Sequence, residues 1–294
     1  MQNELDMKIL LLGSTGFLGS ALCPYLRSRG YNVYTHSLSG ESQNQVDLTC
    51  KKDTATFLEK IQPDVIVNLV ALTDVDFCEK NPKQAFLINA HTVENIVNWI
   101  KLRNPHCHLI HLSTDQVYDG IGPHTEDNVS PMNYYSLTKI AGEYLALTIP
   151  GTILRTNLFG KSFCKGRVSL SDWIISSLRS GKEISVFYDV KFSGLHVQTL
   201  CNGIELAIRK RHTGIFNLGC KNGASKAYLA EALSDRLGLE SNLMTICSSK
   251  DVEFHARRPV DMRMDSTRFE RTFGFVLPTF ESQIDIAAQE YLDE

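Results

Sequence analysis

Short apolar runs alternate with stretches of helical periodicity along the first half of the chain. Lys8 to Leu12 is an apolar run that stops at Gly13, and apolar residues then recur at helical spacing, at positions 17, 18, 21, 22 and 26. Comparable runs follow at 32–35, 65–69, 108–112 and 152–155, with helices predicted from near Pro82 and over about 134–148. Nearly continuous apolar strands, each followed by a helix, are typical of a parallel sheet covered on both faces. The pattern predicts a doubly wound α/β domain.

The pattern loosens beyond Asn157. It predicts helices near 170–179, 197–209 and 227–237 and strands at 184–187 and 214–218. We interpret this part as a smaller α/β lobe that binds the substrate. The expected division is a large domain over 1–156 plus about 184–213, and a substrate lobe over about 157–183 plus 214–294.

Composition and charge narrow the classes of protein. Thirty Lys and Arg against thirty-three Asp and Glu leave a net charge of −3, without the basic excess that nucleic acids or anionic membranes attract. No apolar run approaches the ~20 residues that cross a bilayer, and Glu4 and Asp6 stand where a secretory signal would be basic. The eight cysteines are scattered without a C-x-x-C pair, as in a reduced compartment. We therefore expect a cytoplasmic protein with neither a nucleic-acid nor a membrane partner, and we leave a homodimer open.

A glycine-rich turn joins the first predicted strand to its helix. Gly13, Gly16 and Gly19 form a G-x-x-G-x-x-G pattern in the segment 13–19, which also holds Thr15, Phe17 and Leu18. Glycines let a pyrophosphate approach the backbone closely, and the helix amino terminus offers it free N–H groups and a positive dipole. The alternative interpretation is a tight turn without a ligand, which can have the same sequence pattern. The position between a strand and a helix near the amino terminus favours a dinucleotide site in a Rossmann domain.

The end of the second predicted strand bears on the choice of cofactor. An acidic residue there binds a free ribose, whereas a basic one accommodates a 2′-phosphate. The segment 36–39 has no carboxylate before Glu41, which favours NADPH, yet no arginine lies between Arg29 and Arg103. NADPH is the expected cofactor and NADH stays open. Asp47 lies further along the chain. The alternative to a role in cofactor binding is that Asp47 is a helix cap followed by a loop.

Tyr135 and Lys139 lie four residues apart, on one face of a predicted helix. A phenol with a pKa near ~10 is a poor acid or base at neutral pH until a positive charge stabilises its anion. We expect Lys139 to lower the pKa of Tyr135. The hydroxyl of Ser113 or Thr114 is predicted to lie at the carboxyl end of the fourth strand, where α/β folds bind their ligands.

These motifs resemble the extended short-chain dehydrogenase/reductases, and within them the dTDP-4-dehydrorhamnose reductase family. The resemblance spans nearly the whole chain. In the first half of the chain it is carried by the glycine turn, Asp47-Leu48-Thr49, Thr73 to Asp76 with Glu79, the Ser-Thr-Asp-Gln-Val-Tyr-Asp-Gly stretch at 113–120, and Tyr135 to Lys139 with Ala141-Gly142-Glu143. In the second half it is carried by Arg258-Pro259 and Phe273-Gly274. The stretch at 113–120 is the most specific of these.

The resemblance implies a reductase of a nucleotide-linked 4-keto-6-deoxy sugar. Thr114, Tyr135 and Lys139 match the family's catalytic triad: Tyr135 donates a proton to the carbonyl oxygen, Thr114 orients that oxygen, and Lys139 holds the cofactor ribose. The residues expected to contact the cofactor are Gly13, Thr15, Gly16, Phe17, Leu18, Gly19, Asp47, Leu48, Ala71, Leu72, Thr73, Ser113, Tyr135 and Lys139. The residues expected near the substrate are Asp115, Val117, Asn157, Trp173 and Arg258.

The chain departs from the family at walls of the expected site. Ala71-Leu72-Thr73 stands where the family often has an aromatic residue, and the region 155–158 has no counterpart of the family's tryptophan against the sugar. The segment 188–195 also differs from the family's D-Q-x-G-x-P-T stretch. The reaction class is therefore better supported than rhamnose as the sugar.

Other polar residues are open to plain interpretations. Asn89 is either a further polar member of the site or an ordinary helix asparagine. His106, His108 and His111 invite a metal site, but strand alternation sends the last two to opposite faces, and we expect no metal.

Two other functions stay open. A sugar-nucleotide epimerase or dehydratase of the same superfamily retains its NAD, although dehydratases usually have an Asp-Glu pair where this chain has Asp115-Gln116. A non-catalytic cofactor-binding subunit is the third hypothesis, because the family also resembles the regulatory partner of methionine adenosyltransferase.

Overall fold

The computed structural model describes residues 7–39 and 42–293. Glu4, Asp6 and Glu41, which entered the predictions above, lie outside the described residues. The strands are β1 (Lys8–Leu12), β2 (Asn32–Ser37), β3 (Asn44–Gln45), β4 (Val65–Asn68), β5 (His108–Thr114), β6 (Gly151–Thr156), β7 (Leu158–Phe159), β8 (Ile184–Phe187), β9 (Lys191–Phe192), β10 (Leu195–His196), β11 (Gly214–Leu218), β12 (Ala224–Ser225), β13 (Met244–Cys247) and β14 (Asp261–Met262). The α-helices are α1 (Phe17–Ser28), α2 (Lys51–Ile61), α3 (Val75–Lys80), α4 (Pro82–Phe86), α5 (Thr92–Arg103), α6 (Tyr134–Ala146), α7 (Leu170–Arg179), α8 (Val197–Lys210), α9 (Lys226–Leu237), α10 (Thr267–Phe273) and α11 (Phe280–Leu292).

Seven parallel strands form the main sheet, in the order β11-β6-β5-β4-β1-β2-β3. The chain runs outward from β1 through β2 to β3, then crosses back to β4 on the other side of β1. Ligands of doubly wound sheets bind at this reversal of strand order, beyond the carboxyl ends of the strands. The predicted Rossmann fold class is confirmed.

The apolar strands contribute side chains to a hydrophobic core on each face of the sheet. Along β1, Ile9 and Leu11 pack with α1 and α8, whereas Leu10 and Leu12 pack on the face covered by α2 and α5. All four side chains are fully buried. Alternate residues of a strand point to opposite faces, so a run without polar positions is what a strand covered on both sides requires.

The remaining short strands form small sheets in the smaller part of the molecule. β8 pairs with β13, β7 pairs with β10, and β9 lies between β12 and β14. Helices α7, α9 and α11 pack beside these strands. This part covers the carboxyl edge of the main sheet, next to the reversal of strand order, through β7 and the loop that follows it.

Two strands lie on the opposite side of the predicted domain division. The strand at 214–218, assigned to the substrate lobe, is β11 and pairs with β6 as the edge strand of the main sheet. The strand at 184–187, assigned to the large domain, is β8 and pairs with β13 in the lobe. Each strand was correctly located in the chain, but its partner is fixed by residues distant in sequence. The division into two units otherwise stays a prediction.

Some elements were not predicted. The apolar pattern does not predict α2, α3, α10 or α11. The helix expected from Pro82 is three consecutive segments, because a π-helical turn over Leu87–His91 separates α4 from α5. None of the helices in the described part of the chain has the length and apolar character that a bilayer crossing requires.

Candidate functional site

The carboxyl ends of β1, β2, β4 and β5 open on a cleft with a volume of about 960 Å³. Every predicted cofactor residue lines this cleft, as do the predicted catalytic residues. Of the residues predicted near the substrate, Asp115 and Asn157 also line it. The fold therefore brings together predicted residues from six separate stretches of the chain.

The glycine turn forms one wall of the cleft. The backbone N–H groups of Gly13 and Ser14 donate to the carbonyl of His36, at 3.0 and 2.9 Å, which ties the turn to β2. Gly13 has a φ of +81°, a conformation that favours glycine. A Cβ on Gly19 would lie 2.7 Å from Ser14 Cα, so the first turn of α1 packs directly against the loop.

This wall fits the pyrophosphate of a dinucleotide. α1 begins after Gly16, which has no side chain to cap the helix, and the first turn holds no acidic residue. The free N–H groups therefore face the cleft with the positive end of the helix dipole. A Cβ at position 19 would collide with the backbone of Ser14, and one at position 13 would be crowded at 3.2 Å from Leu69 C, so these glycines let the turn pack closely against α1 and the end of β4.

The end of β2 gives an uncharged adenosine wall. Ser37, Leu38 and Ser39 line the cleft, while the ring of His36 turns inward, with Nε2 at 2.8 Å from the carbonyl oxygen of Val46. Asp47 also lines the cleft, and its Oδ1 accepts hydrogen bonds from the N–H and hydroxyl of Thr49. α2 begins at Lys51 with Cys50 as its N-cap, so Asp47 is not the helix cap that the alternative above expected.

Asn89 supports the loop after β4 from behind. Its side chain accepts from Leu72 N at 2.7 Å and donates to Leu72 O at 3.2 Å and to Thr138 Oγ1 at 3.1 Å. The side chain is fully buried and is not part of the cleft lining. Asn89 therefore holds the loop 71–73 against α6, and the structure does not place it as a polar member of the site.

Helix α6 positions the phenol and the ammonium. Asn133 and Ser136 form a reciprocal capping box that fixes the start of the helix. Tyr135 and Lys139 then lie one turn apart and line the cleft, each almost fully buried. The Lys139 ammonium donates to Leu112 O at 2.7 Å, which leaves two of its three N–H donors free. Thr114, at the end of β5, lines the cleft beside the phenol.

The prediction that Lys139 lowers the pKa of Tyr135 is wrong for the protein on its own. Burial raises the pKa of Tyr135 to about 12, with a smaller increase from the charge of Asp115 and an opposing hydrogen bond from Thr114. Burial lowers the pKa of Lys139 to about 8. The ammonium is directed at the Leu112 carbonyl, and the phenol is enclosed by apolar side chains of α3, α4 and Ala256. Tyr135 is consequently a neutral phenol at pH 7.

Asp115 is a second titratable group in the site. Its Oδ2 accepts a hydrogen bond from Asn157 Nδ2 at 2.7 Å, and burial raises the pKa of this carboxyl to about 7, against the opposing effects of Asn157 and the charge of Lys226. Lys226, at the start of α9, was not predicted as a site residue. α9 packs against α7, α11 and β8, so the position of Lys226 next to Asp115 depends on contacts between residues distant in sequence.

Three of the predicted substrate residues lie elsewhere. Val117 is fully buried in an apolar cluster with Tyr118, so its assignment to the substrate is wrong. Trp173 is partly exposed on α7, outside the cleft lining. Arg258 pairs with Asp76 at 3.0 Å and is also absent from the lining. The last two stay predictions.

A buried ion pair lies beneath the site. Arg155 on β6 contacts both carboxylate oxygens of Glu143 on α6, at 2.6 Å for the shortest pair, and also donates to Tyr118 Oη at 2.8 Å. Ser113 donates a short hydrogen bond to Glu143. The sequence motifs do not predict this ion pair, because position 155 entered above only as part of the segment 155–158 that lacks the family's tryptophan. The pair connects β5, α6 and β6 next to the predicted catalytic residues.

The histidines serve the core. His108 lies 2.8 Å from Thr152 Oγ1 and His111 lies 3.2 Å from Asn68 Nδ2, on opposite sides of β5. Burial lowers the pKa of both rings. Across residues 7–39 and 42–293, no group of His, Cys, Asp and Glu is arranged to hold a metal ion.

Comparisons with known proteins agree with this geometry. The family model described as the RmlD substrate binding domain matches residues 7–292. A dTDP-4-dehydrorhamnose reductase of Sinorhizobium fredii is 31% identical over 256 residues, covering 80% of this chain and 83% of that protein. The chain belongs to the dTDP-4-dehydrorhamnose reductase family. The resemblance inferred from the motifs is confirmed.

Two further relatives support this assignment. A probable low-salt glycan biosynthesis reductase of Haloferax volcanii is 26% identical, with 97% of each chain covered. Among solved structures, dTDP-4-dehydrorhamnose reductase of Bacillus anthracis, in complex with NADP, has a TM-score of 0.87 and 25% identity, with 97% of this chain and 99% of that chain covered.

The family assignment leaves one part of the cleft unexplained. The turn over 164–168, between β7 and α7, lines the cleft next to the glycine turn, where Cys164 Sγ lies 2.9 Å from Thr15 O. It was not predicted from the sequence, because no local pattern connects it with residues 150 positions earlier.

Proposed function

We propose that this protein reduces the 4-keto group of a nucleotide-linked 6-deoxy sugar, with dTDP-4-dehydrorhamnose as the first substrate to test. NADPH is the proposed hydride donor, and NADH is the alternative. The product would serve deoxysugar or cell-surface polysaccharide biosynthesis. The observation that carries the proposal is that Thr114, Tyr135 and Lys139 converge in the same cleft as the glycine turn.

The side chains support the reductive direction of the reaction. When bound, NADPH supplies the hydride. Tyr135 is protonated at neutral pH, because burial raises its pKa to about 12, and it can donate its proton to the carbonyl oxygen of a sugar. Thr114 lies beside the phenol, where its hydroxyl can orient that oxygen. Lys139 keeps two N–H donors for ribose hydroxyls after its bond to Leu112 O.

The choice of NADPH rests on the wall at the end of β2. Within the described residues 36–39, this wall has no carboxylate that would repel a 2′-phosphate. The related Bacillus anthracis structure, which contains NADP, supports the same choice. We expect NADPH to be preferred over NADH by a modest factor, since no arginine stands at this wall either.

The decisive test compares two neighbouring phenols. Purified protein is mixed with NADPH and dTDP-4-dehydrorhamnose, and loss of NADPH absorbance is followed. Tyr135→Phe should lower kcat by about 10²–10⁴-fold while NADPH binding is kept, because a general acid is lost and no cofactor-binding group is removed. Tyr134→Phe is the matched control, since Tyr134 is exposed on the same helix and outside the cleft.

Other results would favour the alternative functions. Full activity of Tyr135→Phe would eliminate the proposed proton donor. A tightly retained NAD with no net consumption of cofactor would favour an epimerase or dehydratase. A stable complex with another enzyme, and no turnover of any ketosugar, would favour a regulatory subunit.

We further propose a cytoplasmic location and a homodimeric assembly. All eight cysteines are unpaired in the structure, which agrees with a reducing compartment. Native mass spectrometry of the purified protein would report the assembly and any retained cofactor together. A monomeric mass at working concentration would refute the homodimer.

A further inference from the structure

The turn that faces the glycine loop carries two basic side chains. Lys165 and Arg167 lie in the segment between β7 and α7, and both line the same cleft as the glycine turn. Both are exposed, and neither has an acidic partner in the described part of the chain. Two unpaired cations on the wall of a cleft leave a positive charge that a ligand can neutralise.

The turn has a defined shape. Arg167 N donates to Cys164 O at 3.1 Å, which closes a four-residue turn. Gly166, the third residue of the turn, has a φ of +79°, as a type II turn requires at that position. Lys165 and Arg167 therefore flank the glycine at the tip of the turn. A tip of this kind holds its side chains on a short, fixed piece of backbone.

A direct contact fastens the turn to the glycine loop. The Cys164 thiol lies 2.9 Å from the carbonyl oxygen of Thr15, a residue of that loop. The base of the turn is also held, because Ser162 N donates to Asp172 Oδ2 and Cys164 N donates to Ser162 Oγ, at 3.1 and 3.2 Å. The two cations are thus positioned next to the loop that fits a pyrophosphate.

The charges of the cleft favour an anionic ligand at this place. Of the described residues that line the cleft, the only acidic ones are Asp47 and Asp115. Asp47 accepts hydrogen bonds from Thr49 and Asp115 accepts one from Asn157, and in the described part of the chain neither carboxylate forms an ion pair with Lys165 or Arg167. Lys165, Arg167 and the helix dipole of α1 together make this end of the cleft positive.

We propose that Lys165 and Arg167 clamp the diphosphate of the nicotinamide cofactor against the glycine turn. The inference rests on the proposed function, because it assigns two side chains to the cofactor of that reaction. Over the described residues 36–39, the end of β2 has no lysine or arginine to bind a 2′-phosphate. In this proposal the two cations instead bind the diphosphate that NADPH and NADH share. The contact between Cys164 and Thr15 favours this diphosphate over the chemically similar diphosphate of the nucleotide sugar.

The test measures binding of three probes to charge-matched variants. NADPH, NADH and dTDP are titrated into the full-length protein, into Lys165→Gln, Arg167→Gln and the double variant, and into a Lys182→Gln/Arg103→Gln control. Lys182 and Arg103 are exposed and outside the cleft, so the control loses the same charge elsewhere. Circular dichroism spectra and thermal midpoints establish that each variant is folded.

The expected result is an equal loss for the two cofactors. Each single variant should weaken NADPH and NADH about fivefold, as expected for one unit charge about 4 Å from another in water. The double variant should raise the KM for NADPH with kcat kept, and its binding should depend less on salt. dTDP binding and the control should match the wild type.

Each other outcome overturns a distinct statement. Weaker binding of NADPH alone would show that the two cations bind the 2′-phosphate and not the diphosphate. Weakening of dTDP alone would move them to the nucleotide sugar. Unchanged binding of all three probes would refute the clamp while the proposed function stands, whereas a wild-type protein that binds neither dinucleotide would refute the proposed function itself.

Discussion

Replacing Glu143 tests the buried ion pair that lies next to the proposed catalytic residues. Its carboxylate is fully buried and holds the Arg155 guanidinium, whose side chain is 3% exposed, through Nε at 3.0 Å and Nη2 at 2.6 Å. Glu143→Gln keeps the shape of the side chain but leaves the positive charge without its counter-charge. Arginine cannot escape this penalty by losing a proton.

The expected cost is large for a single substitution. Breaking a buried ion pair by removing one partner typically costs about 3–5 kcal/mol. For a domain of this size, such a loss corresponds to a fall in Tm of about 10 °C. Glu94→Gln is the control, because Glu94 forms an exposed pair with His91, and surface pairs contribute about 0–1 kcal/mol.

The double variant Glu143→Met/Arg155→Met separates charge from packing. It removes both charges and keeps apolar volume, so it should recover much of the stability that Glu143→Gln loses. Part of the loss should remain, because the Glu126 carbonyl loses its 2.6 Å hydrogen bond from Arg155. Thermal unfolding followed by circular dichroism measures each variant. A Glu143→Gln protein with wild-type Tm, or a double variant as unstable as the single one, would refute the reasoning.

Two more predictions concern the cleft. Gly19→Ala should lower the free energy of unfolding by about 1–3 kcal/mol and weaken NADPH binding, because its Cβ would lie 2.7 Å from backbone atoms of Ser14. Gly16→Ala should keep the stability of the wild type, because the nearest contact of its Cβ is at 3.4 Å. Equal Tm values for the two variants would contradict this reasoning. Asp115 should make stability depend on pH: its folded pKa of about 7 lies above the ordinary 3.8, so the folded state binds the extra proton and is stabilised as pH falls. Wild type should therefore gain about 2 kcal/mol over Asp115→Asn between about pH 7 and pH 5, and a pH-independent difference would show that the carboxyl titrates normally.

Much of the fold was predictable because its signals are local. The apolar run before Gly13 and the helical period after it specify a strand, a turn and a helix from neighbouring residues alone. Tyr135 and Lys139 could be paired from their spacing, because four residues make about one helical turn. Recognition of the family added the roles of these residues, which spacing does not contain.

The errors arose where distant residues decide. The strand at 214–218 was found, but its place beside β6 depends on how the chain returns to the sheet after α8. Val117 lies three residues after the end of β5, and only its packing against Tyr118, Ile140 and Met264 reveals that it belongs to the core. The raised pKa of Tyr135 likewise reflects burial by α3 and α4, which the helix motif does not encode.

The amino-acid sequence by itself determined most strands of the main sheet, the glycine turn and the spacing of Tyr135 and Lys139, since each follows from interactions between residues a few positions apart. The tertiary structure alone decided which strands pair, which charges are neutralised and which side chains share the cleft. Lys165 and Arg167 lie 150 residues from the glycine turn in the chain and reach the same cleft only through the packing of the lobe against the sheet. Burial and electrostatic environment are properties of that packing, so no local pattern contains them.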